Sequence, residues 1–186
     1  MLKVLAAVGQ GIDALNERIG NTVAWLTLAM VLVTFCVVVL RYVFDVGFVW
    51  LQESYVWMHG IVFMLGAGYT LLHQGHVRVD IVYRGASPRY KAWVDLGGVL
   101  LLLWPMLLAL WWVAWPYVAG SWSRLEASRE AGGLPGLFLL KTVLLAFCLL
   151  LGLQGLSLAI RCIFLLIGRT NPATGAPEFQ DTRDGH

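Results

Sequence analysis

Four stretches of the chain run without a single Asp, Glu, Lys or Arg: residues 19–40, 54–77, 96–123 and 142–160. Trimmed of polar ends, each supplies about the 20 apolar residues that a helix needs to cross a ~30 Å hydrocarbon core. The runs are continuously apolar and lack the alternation of barrel strands. The pattern predicts an all-α integral membrane protein with four transmembrane helices. The third run is the longest. Ser87-Pro88 makes a helix start, with Ser as N-cap and Pro at the first helical position. From there to Trp122 is roughly 35 residues, or about 52 Å, so this helix must tilt, kink or project. Pro105 and Pro116 are the expected kink positions, because each removes an amide donor. Trp93 and Trp122 fall near its two ends, where aromatic belts form.

The first 20 residues read differently. Leu5, Val8, Ile12, Leu15 and Ile19 recur at spacings of three and four, while Lys3, Gln10, Asp13 and Glu17 lie off that stripe. The expectation is an amphipathic N-terminal helix over 1–20, lying on the inner leaflet or covering a partner protein. A membrane domain occupies 21–168, and a Pro-, Gly- and polar-rich tail over 169–186 should be mobile. Gln10, Asp13, Glu17 and Arg18 interrupt the apolar positions after Lys3, which argues against a secretory signal peptide.

Charge sets the orientation. With four spans, both termini and the 73–95 loop share one side, which holds Lys3, Arg18, Arg78, Arg84, Arg89, Lys91, Arg161, Arg169 and Arg183. The other side holds Arg41, Arg124, Arg129 and Lys141. The excess places both termini in the cytoplasm. Composition agrees with lipid as the solvent: 59% of residues are hydrophobic and 13% charged, against about 25% charged in soluble domains. A net charge of +2 gives nucleic-acid binding no support. Cys36, Cys148 and Cys162 all lie in or at the end of apolar runs, as small buried hydrophobes would.

Candidate chemistry is sparse. His73, His76 and Asp80 stand at spacings of three and four in "LLHQGHVRVDIVY" (71–83), which would suit a metal on a helical face. Val77, Val79 and Ile81 alternate there with Arg78 and Asp80, which suits an extended exit from the membrane better. His59, His73 and His76 all belong to the second span or its end, so facing-helix haem ligation is excluded and no cofactor is expected. No acidic residue falls mid-span, where proton or cation coupling would need one. Lys141 is a charge inside a helix, about six residues past the turn at Gly132-Gly133-Leu134-Pro135. Its stem can snorkel outward; alternatively it pairs with Glu53 or Glu126 and pins helix ends together. Arg41, Trp50 and Glu53 bracket the first outer loop.

The segments "RYVF" (41–44), "WLQESYVW" (50–57), "LGAGYTLLHQGHVRVDIVY" (65–83) and "SWSRLEASREAGGLPGLFLLK" (121–141), in this order, carry a resemblance. Over residues 15–168 the chain resembles the small membrane subunit, of DctQ type, of tripartite ATP-independent periplasmic (TRAP) transporters. The resemblance implies a bacterial inner-membrane protein with both termini inside and no enzymatic activity. It implies a large multi-span partner that moves sodium and an organic acid by an elevator-like motion, and a periplasmic binding protein that delivers the substrate. The small subunit would then be a fixed scaffold, able to offer the binding protein a docking surface. Arg41, Trp50, Glu53, His76, Asp80 and Lys141 match recurrent positions of that pattern and are expected to be structural or interface residues, with Glu126 joining them through Lys141. A membrane redox anchor or metal-binding protein using His73, His76 and Asp80 is the alternative from another class, and a self-sufficient homo-oligomeric carrier is a third.

Overall fold

The structure, a computed structural model, describes residues 2–76 and 85–168. Among them the secondary structure is helical throughout. α1 spans Leu2–Val43, α2 Val49–Leu72, α3 Pro88–Gly98, α4 Trp104–Ser123 and α5 Leu137–Leu166. A five-residue π-helical segment, Val99–Leu103, joins α3 to α4. The continuous stretch Pro88–Ser123 therefore counts as one span, and four helical stretches are long and apolar enough to cross a membrane.

The start of the third span follows its sequence signal. Ser87 Oγ accepts a hydrogen bond from the Tyr90 amide at 3.3 Å, with Pro88 at the first helical position. The π segment ends two residues before Pro105. A proline ring clashes with the carbonyl four residues upstream and offers it no donor, so a local switch to wider i→i+5 pairing relieves both problems. Pro116 instead sits inside an uninterrupted α4.

Two boundaries differ from the sequence reading. α1 runs unbroken from Leu2 to Val43, so nothing separates residues 2–20 from the first span. Its buried positions are Ala6, Gly9, Ile12, Asn16, Gly20 and Val23, while Leu5, Val8 and Leu15 of the apolar stripe stay uncovered. Between helices in lipid, close approach and polar contacts decide packing, because lipid tails already solvate leucine; the small and amide residues therefore turn inward. α2 ends at Leu72, with His73 as its C-cap, some five residues earlier than the apolar run suggests. The alternating segment around Asp80 and the tail from 169 onward lie outside the described residues.

α5 is the hub: it packs on α1, α2, α3 and α4. Eleven of its 30 residues are buried, against one of 24 in α2. Ala6 meets Ile160 and Phe164 of α5 in one apolar cluster. Leu107 of α4 meets Cys148 and Leu151 in a second, and Ala114 and Val118 meet Leu145 in a third. These contacts run α1 and α4 antiparallel to α5. They put the start of α1 beside the end of α5, where Arg89 also donates to the Leu166 carbonyl at 3.0 Å. We call this the terminal end of the bundle, and the opposite one, with the 44–48 and 124–136 connections, the loop end. Cys148 and Cys162 are buried, whereas Cys36 lies on the uncovered face of α1.

Candidate functional site

At the loop end, two carboxylates stitch the 124–136 connection to the bundle. Glu53, one turn into α2, accepts from the Ser128 hydroxyl through Oε1 and from the Leu134 amide at 2.6 Å through Oε2. Gly133 is required beneath it, since a Cβ there would stand 2.5 Å from Ser128 Oγ and 2.8 Å from Glu53 Oε2. On the other side, Lys141 Nζ lies 2.5 Å from Glu126 Oε2, and Ser121 donates to the same oxygen at 2.8 Å. The Lys141 ammonium also sits 4.1 Å from the centre of the Tyr117 ring, a cation–π contact. The hydrogen bond from Lys141, and after it the one from Ser121, holds the Glu126 carboxyl below its usual range. Trp122 completes this side, donating from Nε1 to Thr142 at 2.8 Å and packing edge-on against Phe138 at 4.6 Å.

Lys141 is therefore paired, with Glu126 and not Glu53, so outward snorkelling is not the geometry found. α5 begins at Leu137 after Gly136 in a left-handed conformation (φ 97°), two residues later than a helix opening at Pro135. This places Lys141 just beyond the first turn, within reach of the loop. Arg41 and Trp50 do not join the cluster: Arg41 is exposed in the last turn of α1, and Trp50 is exposed with its ring 6.1 Å from Phe48.

At the end of α2, His73 Nε2 lies 2.7 Å from Glu17 Oε2 of α1 and its ring leans on Tyr69 at 4.3 Å. His76 is exposed after the helix. Asp80 lies outside the described residues. No group of three metal-ligating side chains occurs among the described residues, and His73 is engaged by Glu17 across the α1–α2 contact.

A polar network that the sequence reading did not single out links α1 to α5. Asn16 Nδ2 donates to Gln154 Oε1 at 2.8 Å, and Gln154 Nε2 donates to Asp13 Oδ1 at 2.9 Å. Ser157 donates to the same Asp13 oxygen at 2.7 Å, while Arg161 pairs with Asp13 Oδ2. Asn16, Gln154 and Ser157 are all at most 1% exposed. Gly68 of α2 closes the site, because a Cβ there would overlap Asn16 Oδ1. Three helices thus converge on one amide. The signal was present in the sequence: Gln154 is an amide in an otherwise apolar span, and Asp13 and Asn16 are one turn apart. A polar group in hydrocarbon must find a partner. Two amides, a hydroxyl and an ion pair bonded to one another across two helices read as a fastening.

The arrangement is that of a braced membrane frame, and sequence comparison places it. The family model described as "Tripartite ATP-independent periplasmic transporters, DctQ component" matches residues 30–165, from the middle of α1 to the last turn of α5. A C4-dicarboxylate TRAP transporter small permease protein DctQ of Vibrio cholerae serotype O1 is 29% identical over 116 residues. That match covers 62% of this chain and 45% of the relative, so it spans less than half of the relative's length. No solved structure matches the chain. With the family model covering most of the chain and reaching into all four candidate membrane spans, the chain belongs to the DctQ family of TRAP transporter components.

Proposed function

We propose that this subunit is the static scaffold of a sodium-coupled TRAP importer of organic acids in the bacterial inner membrane, with both termini cytoplasmic. Its partner is a large multi-span subunit that binds sodium and substrate and moves them by an elevator motion against the fixed frame. The observation that carries the reading is the DctQ match over residues 30–165. The bracing at both ends supports it: the Glu53 and Glu126–Lys141 contacts hold the loop end, and the Asp13–Arg161 network holds α1 on α5. The outer loops at 41–53 and 124–133 would offer a periplasmic binding protein a docking surface. The nine-to-four distribution of Lys and Arg supports the orientation.

The test is uptake into liposomes containing the large subunit, with and without this chain, with binding protein and labelled organic acid outside. Uptake should require both membrane subunits and an inward sodium gradient. Full uptake by the large subunit alone, or by this chain alone, overturns the scaffold role. Unchanged uptake with potassium in place of sodium overturns the coupling.

A further inference from the structure

His59 lies six residues past Glu53 in α2, roughly 9 Å along the axis from the loop end and inside the apolar run that begins at residue 54. Its side chain is exposed. Tyr55 precedes it by one turn, and the two line one cleft of about 420 Å³ between α1 and α2, walled otherwise by Met30, Val31, Thr34 and Val56. Thr34 satisfies its own hydroxyl on the Met30 carbonyl at 2.7 Å. Neither the His59 ring nor the Tyr55 hydroxyl has a hydrogen-bond partner among the described residues. Val31 of the cleft wall and Phe35 and Val38, one and two turns on along α1, are uncovered.

An imidazole in hydrocarbon without a partner is strongly unfavourable, and polar groups at this depth turn toward protein or a water-filled cavity. Histidine is shorter than lysine, so its ring reaches less far toward the headgroups from this depth. An acyl chain fills the cleft but offers neither residue a hydrogen bond. We propose that the cleft receives a transmembrane helix of the large subunit, which presents a hydroxyl, amide or carboxylate to His59 and Tyr55. The inference rests on the scaffold reading and adds the face through which the scaffold holds its partner.

The test is photo-crosslinking in the complex purified from native membranes, with benzoylphenylalanine at Thr34, at Val56, or at the largely uncovered Trp112 of α4 as reference. An adduct with the large subunit from positions 34 and 56 but not 112 is expected. His59→Phe should weaken retention of the large subunit roughly three- to tenfold, the scale of one interhelical hydrogen bond, while His59→Gln keeps most of it. Neither variant should change the stability of the isolated chain. Adducts from 112 alone, adducts only with lipid or with a second copy, or full retention by His59→Phe overturn this inference and leave the scaffold reading standing. If no large membrane protein accompanies the unsubstituted chain, the scaffold reading itself fails.

Discussion

Replacing Gly68 by alanine would press a methyl group into Asn16. The new Cβ would overlap Oδ1 and stand 2.9 Å from Cγ of Asn16, with the Leu150 carbonyl at 3.4 Å behind it. Asn16 is 0% exposed and bonded to Gln154 at 2.8 Å, so it cannot swing away without losing that bond. Overpacking of this kind costs about 1–3 kcal/mol, and the lost interhelical bond about 0.6–1.7 kcal/mol. Alanine returns about 1 kcal/mol through helix propensity. The net expectation is a loss of about 0.6–3.7 kcal/mol. Gly66, half a turn away on the same helix, has nothing within 4 Å of its would-be Cβ, so Gly66→Ala should be neutral or gain up to about 1 kcal/mol. Unfolding by SDS in mixed micelles, followed through the nine tryptophans, separates the two. In the Asn16→Ala background the Gly68→Ala cost should shrink by more than about 0.5 kcal/mol, the coupling expected of residues in contact. Equal stability of Gly68→Ala and Gly66→Ala would refute the three-helix convergence.

Gln154→Leu removes the best acceptor of Asn16 and one donor to Asp13, and should destabilise by about 1–2 kcal/mol in the same assay; an unchanged midpoint would count against the network. Lys141→Met should release the 124–136 connection, read as faster amide exchange at Phe138, which donates to the Glu126 carbonyl at 3.4 Å, and at Glu126, which donates to the Ser121 carbonyl at 3.1 Å. Unchanged exchange, together with unchanged stability and transport of the complex, would contradict the pinning role. Glu126 gives a pH signature. Its folded-state pKa lies below the ordinary 4.5, so the ion pair contributes fully above that value and is lost as pH falls through the lowered one. Unfolding profiles of the unsubstituted chain and Glu126→Gln should therefore converge on acidification below about pH 4.5; parallel profiles would refute the assignment.

The four spans were legible because continuous apolar runs leave few alternatives, and Ser87-Pro88 announced its own helix start. The inward face of α1 was not. The apolar stripe of Leu5, Val8 and Leu15 was assigned to lipid or a partner, and no periodicity marked the residues that pack within the bundle. In lipid, apolar character gives little drive for helix association, and Ala6, Gly9, Asn16 and Gly20 are the ones that pack. Of the glycines in α2 and α5, Gly68 and Gly155 are tightly faced, Gly152 and Gly60 make ordinary contacts, and Gly66 faces open space. Composition names such candidates, but only the helix pairing selects among them. The partners of Lys141 and Glu53 depended on where the 124–136 connection folds back, which no spacing encodes.

The central claim is that this chain is one half of a transport unit. Gentle affinity purification from native membranes, with intact-mass analysis of the complex, tests it most directly. The account predicts a one-to-one complex with a larger multi-span protein, free of haem and metal. A homo-oligomer, or a species carrying metal or haem, would contradict it and return attention to His73, His76 and Asp80.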